Sequence, residues 1–385
     1  MANLISTTTQ GTPAISQAAA QKSGLISFAR AAKKHTEQGN TFTSAPPWGQ
    51  KINSPLPVYG FMSGFYIVAT GTGGAASVTV TANEDAPWSL FNNILFSDVN
   101  GTPIMNLDGY SAYLAALYGG YRVFRPDSST YAYSAVATGA SASGNFKFIL
   151  PVFCEFSRDG MGSLPNMDAS AAYRLQLVEN PSTGGGGFYG TAPNTTVPTV
   201  SITLELLGRA KPAAKDAFNN SQVTVPPAPG TVQYWTLQQF PVLSGTNTVI
   251  FNRVGNIIRN HILIFRASSD GTRATAESGG VVPTVLEMDW DAGQRYVQNV
   301  ASLRESSYQI TGIDAPNGVI PLLNTADADY LYGAEYGEDW LPTVGSTKLQ
   351  LKFTSTAAGT LYVLTNDIVP GAGDVYSAAA QELVG

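Results

Sequence analysis

The feature that most limits what this chain can fold into is its rhythm of short β-forming runs. From Val58 onward, segments rich in Val, Ile, Phe, Tyr and Thr recur between clusters of Gly, Pro, Asn and Asp. They read as strands at Val58–Thr70, Ser77–Ala82, Leu90–Phe96, Phe146–Phe156, Tyr173–Val178 and Val200–Leu207. The same language returns at Val232–Phe240, Thr248–Arg253, Ile257–Phe265, Val285–Asp289, Lys348–Ser355 and Thr360–Asn366. Many short strands with turn residues between them predict an all-β chain. The 385 residues suit two domains. The stretch 211–230, with AKPAAKDAFNNS followed by VPPAPG, reads as an extended linker between them.

The two halves read as a tandem duplication of one β-sandwich. In the first, the apolar run Leu90–Phe96 is followed by an Asn100-Gly101 turn, then Leu107-Asp108 and a helical stretch Tyr110–Tyr118. In the second, Ile258–Ile264 is followed by Asp270-Gly271, then Met288-Asp289 and a helical stretch Ala292–Leu303. Asp108 and Asp291 are placed to cap these helices, because a carboxylate there can accept from the free N–H groups of the first turn.

Only 12% of residues are charged, about half the usual share, against 44% apolar. A surface so poor in charge suits a protein whose flanks are buried in an assembly. The single cysteine, Cys154, allows no intrachain disulfide and fits a reducing compartment. No segment reads as a secretion signal, and no run approaches the roughly 18 apolar residues of a membrane span.

Charge is unevenly spread. Up to residue 51, Lys22, Arg30, Lys33, Lys34 and Lys51 stand against Glu37, a net +4, which leaves −10 for the rest of a chain whose total is −6. From Pro13 to about His35 the pattern is helical. Leu25, Phe28, Ala29 and Ala32 form one apolar stripe, with Arg30, Lys33 and Lys34 on the adjoining face. Such a helix can lie on an anionic lipid surface or pack on the body of the protein. Five cations in this arm are too few for tight nucleic-acid binding.

The chemistry-bearing residues are sparse. The two histidines, His35 and His261, and one cysteine cannot form a Cys/His zinc cluster, and no G-x-S-x-G elbow occurs. Glu287, Asp289 and Asp291 could hold Ca²⁺ or act as paired carboxylates, but read more simply as a strand end and a helix cap. Glu335, Glu338 and Asp339 read as a solvated loop, and the glycines at 71, 73 and 74 as a hairpin turn. No catalytic residue, metal site or cofactor is expected.

The segment FKFILPVFCEFSRD at Phe146–Asp159, then Leu164-Pro165 and Tyr173-Arg174-Leu175-Gln176-Leu177, resembles the double-jelly-roll major capsid proteins, and among them those of tectiviruses, tailless bacteriophages with an internal membrane. The run Leu90–Phe96 followed by a short helix is similar as well. The resemblance implies two tandem eight-stranded jelly rolls with an N-terminal helix and short helices inserted in each roll. The divisions expected are an arm at 1–51, rolls at 52–210 and 231–370 around the linker, and a C-terminal arm at 371–385. It further implies a homotrimer tiling an icosahedral shell in the virion, assembled in the host cytoplasm. The partners implied are sister subunits, penton and minor capsid or cement proteins, and the internal viral membrane, met through Lys22, Leu25, Phe28, Arg30, Lys33 and Lys34. Nucleic acid is not expected to be bound sequence-specifically. Tyr110, Tyr113, Tyr330 and Trp340 are expected at trimer or lattice contacts, with Tyr131, Tyr133, Tyr332 and Tyr336 as further candidates. The competing reading is a carbohydrate-binding or carbohydrate-acting β-sandwich, for which no distinctive carboxylate pair stands out.

Overall fold

The computed structural model describes residues 26–119, 133–157, 159–184, 187–267, 272–274, 279–291, 293–324 and 340–369. The β-branched and aromatic runs do form strands. In the first half these are β1 (Lys34–Ser44), β2 (Lys51–Pro55), β3 (Phe61–Thr72), β4 (Thr79–Ala82), β5 (Phe91–Ser97), β6 (Pro103–Leu107), β7 (Gly139–Ala140), β8 (Phe146–Phe153), β9 (Leu164–Pro165), β10 (Arg174–Glu179), β11 (Tyr189–Thr191) and β12 (Thr199–Arg209). In the second they are β13 (Val232–Val242), β14 (Gly245–Ile250), β15 (Ile257–Ala267), β16 (Val285–Trp290), β17 (Gly293–Asn299), β18 (Val319–Leu323), β19 (Leu341–Pro342), β20 (Leu349–Ser355) and β21 (Gly359–Val369). The helices are α1 (Phe28–Ala31), α2 (Gly109–Tyr118) and α3 (Val300–Thr311).

Each half is a jelly roll with the same topology. In the first, one sheet runs β1-β12-β3-β8 and the facing one β2-β10-β5-β6. In the second, the sheets run β13-β21-β15-β18 and β14-β20-β16-β17. Counting the eight main strands of a roll in chain order, both halves have sheets 1-8-3-6 and 2-7-4-5. β4, β7 and β11 form a small extra sheet on the first roll. The rolls are joined by parallel pairing of β6 with β13, Trp235 opposite Met105 and Thr236 opposite Asn106. One sheet of each roll therefore belongs to a single continuous sheet.

This topology corrects the repeat read from the sequence. Leu90–Phe96 is the fourth strand of its roll, whereas Ile258–Ile264 lies in the third strand of the other. Apolar content matched them, but pairing partners separate them. The two halves nonetheless share one strand order, and in both rolls a helix follows the fifth strand. The helical stretch expected at Ala292–Leu303 is strand β17 up to Asn299, with α3 starting at Val300. Asp291 is no helix cap. It has φ +52° in the turn between β16 and β17 and accepts from the N–H groups of Thr347 (2.8 Å) and Lys348 (3.0 Å). Asn299 stands at the start of α3.

The N-terminal reading also changes. The described helix is the single turn α1, after which Lys34–Ser44 forms β1 along β12. The first roll therefore begins at Lys34, inside the segment assigned to the arm. The linker is not simply extended. Residues 214–222 fold back on themselves, with Lys215 bridged to Ser221, before the proline segment leads to β13.

Candidate functional site

Without a catalytic constellation in the sequence, the positions that matter are those that fix the two rolls to one another and those the pair presents outward. The junction is built around α2. Asp108 caps it as expected, accepting from the Ser111 N–H at 2.8 Å and the Ser111 hydroxyl at 2.8 Å. The helix is apolar on every side because it lies against β5 and β8 of the first roll and β21 of the second. Its ends admit only glycine. A Cβ at Gly109 would fall 2.0 Å from the Trp88 carbonyl oxygen, and one at Gly119 2.1 Å from the Trp235 ring of β13.

A buried polar network crosses the junction. Arg259 of β15 is wholly buried and donates to the Gly119 carbonyl (3.0 Å) and to the Asn366 amide oxygen (2.8 Å). Its guanidinium lies over Phe156 of the first roll and Trp340 of the second, at 5.2 and 5.8 Å from the ring centres. Gln233 of β13 donates to the carbonyls of Phe153 (2.8 Å) and Cys154 (3.0 Å). Further along, Asp85 of the first roll takes two arginines of the second, Arg266 at 2.7 Å and Arg273 at 2.6 Å. The Tyr110 ring faces both guanidiniums, at 5.8 and 4.8 Å. Groups so buried contribute little net stability but fix one arrangement, since any other leaves charges unpaired.

The residues expected at trimer contacts are therefore largely internal. Tyr110 and Trp340 are each 5% exposed and belong to the junction. Tyr113 is half-buried, stacked on Trp88 with ring centres 4.5 Å apart, and burial pushes its hydroxyl up to about 12. Tyr133 is half-buried against the same tryptophan. Tyr330, Tyr131, Tyr332 and Tyr336 lie outside the described residues. Burial within the chain corrects the expectation for Tyr110, which lies in α2, and for Trp340: both rings pack at the contact between the rolls. Arg259, Arg266, Arg273 and Asp85 were not singled out from sequence. The one readable signal was an arginine inside the apolar run IIRNHILIF, a place where only a partnered charge survives.

In the basic segment, Phe28 is buried edge-on against Phe61 at 5.2 Å, and Ala32 is buried beside it. Phe28 thus packs on the first roll and is not free to meet a membrane, which favours the body-packed alternative for this turn. Arg30, Lys33 and Lys34 remain exposed, while Lys22 and Leu25 lie outside the described residues.

The other chemistry-bearing groups are occupied structurally. Glu287 and Asp289 both face Lys352, the Glu287 carboxylate at 3.0 Å, and hydrogen bonds from Lys352 hold the Asp289 carboxyl below its usual range. Among the described residues no group of three or more His, Cys, Asp and Glu side chains could hold a metal ion. His35 stacks on Tyr59 with ring centres 3.7 Å apart. His261 is fully buried against Phe251, and burial drives its imidazole down to about 3. Burial pushes the Cys154 thiol up, away from reactivity. An open groove of about 550 Å³ lies over β2, β5 and β10, and its described lining carries Arg174 but no carboxylate or histidine. No described helix is long and apolar enough to cross a membrane.

No family model and no curated protein matches this chain. Solved structures do. The major capsid protein of Sulfolobus turreted icosahedral virus is similar over 88% of this chain and 97% of its own, with TM-score 0.62 and 14% identity. The major capsid protein P2 of bacteriophage PM2 gives TM-score 0.53 and 9% identity over 88% and 98%. The PBCV-1 virus capsid structure gives 0.56 and 10% over 88% and 94%. At such identity the likeness establishes the fold, and the fold is the double jelly roll of these capsid proteins, matched across nearly their whole length.

Proposed function

We propose that the chain is the major capsid subunit of an icosahedral virus. The observation that carries this is the pairing of two rolls of identical strand order into one block, through a shared sheet and a buried junction. Three such blocks around an axis set six similar rolls in a ring, which is the shape needed to tile a flat lattice. The structural neighbours named above serve as capsid proteins and share both rolls.

In this reading the subunits form pseudo-hexagonal homotrimers around an internal lipid membrane, as in tectivirus-like bacteriophages, with penton and minor or cement proteins completing the shell. Assembly takes place in the host cytoplasm, and the finished protein resides in the virion. The outer face of the β14-β20-β16-β17 sheet exposes Ile250 and Val297 on its two edge strands, and in this reading that face meets a neighbouring subunit. The basic segment ending in Arg30, Lys33 and Lys34 faces the membrane. Size-exclusion chromatography with light scattering tests the assembly: the expected mass is three times the 40.5 kDa chain, and a stable monomer at all concentrations contradicts the reading.

A further inference from the structure

The linker holds one large apolar side chain out in water. Phe218 is 85% exposed, the most open large apolar side chain among the described residues. It is not a loose tip. The Asp216 carboxylate accepts from the Phe218 N–H (2.9 Å), the Asn220 N–H (2.8 Å) and the Asn220 side-chain amide (2.9 Å), while the Asp216 N–H donates to the Asn220 carbonyl (3.0 Å). Lys215 bonds Asn219 across the same turn at 2.8 Å. The turn therefore holds the ring out in water instead of letting it fold onto the body.

The surroundings are basic. Ile26 pairs in parallel with Gln222, and the Ala210 N–H donates to the Lys33 carbonyl, so the linker hairpin and the N-terminal segment lie together. The exposed cations of these two segments are Arg30, Lys33, Lys34, Lys211 and Lys215. The Asp216 carboxylate in their midst is taken up by the turn. Lysine is depleted in interfaces between proteins, whereas clustered lysines around an aromatic suit an anionic bilayer surface.

We infer that the linker hairpin is a second membrane-contact element: Phe218 enters the interfacial zone of an anionic bilayer while Lys211 and Lys215, with Arg30, Lys33 and Lys34, meet lipid phosphates. This rests on the reading of a shell enclosing a membrane. It adds a device located between the rolls, so each subunit touches the lipid through two chain segments.

Co-sedimentation of the full chain with vesicles tests it, using phosphatidylcholine alone and phosphatidylcholine with about 30 mol % phosphatidylglycerol. The wild type is expected to bind the anionic vesicles and to lose binding as salt rises. Phe218→Ser is expected to lower partitioning about tenfold with an unchanged melting curve, as loss of a buried aromatic surface requires. Phe218→Trp is expected to restore it, and Lys211→Gln with Lys215→Gln to weaken binding only to the anionic vesicles. Wild-type binding left intact by Phe218→Ser overturns the inference and leaves the membrane reading standing. Phe218→Ser that spares vesicle binding but splits the oligomer makes Phe218 a subunit contact and also overturns it. A wild type that binds neither vesicle removes the membrane reading itself.

Discussion

β3 and β15 are both the third strand of their roll, each lying between the eighth strand and the sixth, yet they meet different surroundings. β3 keeps an outward side, with Tyr66, Val68 and Thr70 half-exposed between buried neighbours. β15 has none: Ile257 to Phe265 are all buried, Leu263 and Phe265 in the core of the second roll, Ile262 and Ile264 against the first. One strand position in one topology is thus a half-covered sheet in the first roll and an inner layer in the second. The difference comes from α2 and the neighbouring roll, which cover the far face of the second roll's sheet. The duplicated unit did not need a new strand order to become one block. It needed an apolar outer face on one sheet, and charges at the seam with partners waiting.

That comparison can be broken at the seam. The largest effect is expected from Arg259→Ala, which leaves the Asn366 and Gly119 oxygens without their donor and opens a gap between Phe156 and Trp340. A loss of about 3–5 kcal/mol is expected from the cavity and the unpaired acceptors, and calorimetry should show unfolding split into two transitions as the rolls uncouple. A variant that melts as one transition at the wild-type temperature removes Arg259 from the account of the junction. Asp85→Ala takes from Arg266 and Arg273 the anion they share, leaving Arg273 with Glu84 at 3.7 Å. Since these arginines keep some solvent contact, about 2–3 kcal/mol is expected in urea titrations.

The sequence disclosed the class of fold and much of the strand placement because β-branched and aromatic runs write strand positions locally. Asp108 before an apolar helix was legible for the same reason. Three things were not. The Lys34–Ser44 strand is mostly polar (KHTEQGNTFTS), since it forms a sheet edge with one face open, and a stripe through Phe28 and Ala32 made a helix look as if it ran on to His35, where β1 has already begun. The order of the repeat was misaligned because apolar content records burial, and burial in β15 is set by α2 and the first roll, distant in the chain, rather than by its place in the roll. The junction charges were hidden for that reason too: Asp85, Arg266 and Arg273 are ordinary surface residues until the second roll docks.

A finer contrast concerns His261, on the core side of β15. Its imidazole, driven down to about 3, stays neutral in the folded protein while an unfolded histidine titrates near 6.5. Between those values the unfolded chain binds the extra proton, so stability falls as pH drops through the window and is unaffected above it. Thermal or urea unfolding at pH 7 and pH 5 should show the wild type losing about 2 kcal/mol more than His261→Phe. Equal losses would mean that this ring does not set the acid limit. The smallest effect on the isolated chain is expected at the outer face of the second roll. Ile250→Asp with Val297→Asp should change unfolding free energy by no more than about 0.5 kcal/mol, while lowering the oligomer fraction in sedimentation. A change confined to stability would show that this face is not a contact.

Electron microscopy of the purified protein, imaged as single particles and after concentration, looks at the block itself. The account predicts threefold particles with six lobes in a near-hexagonal ring, packing edge to edge into flat arrays. Isolated two-lobed particles, or rings of another symmetry that never form sheets, would contradict it.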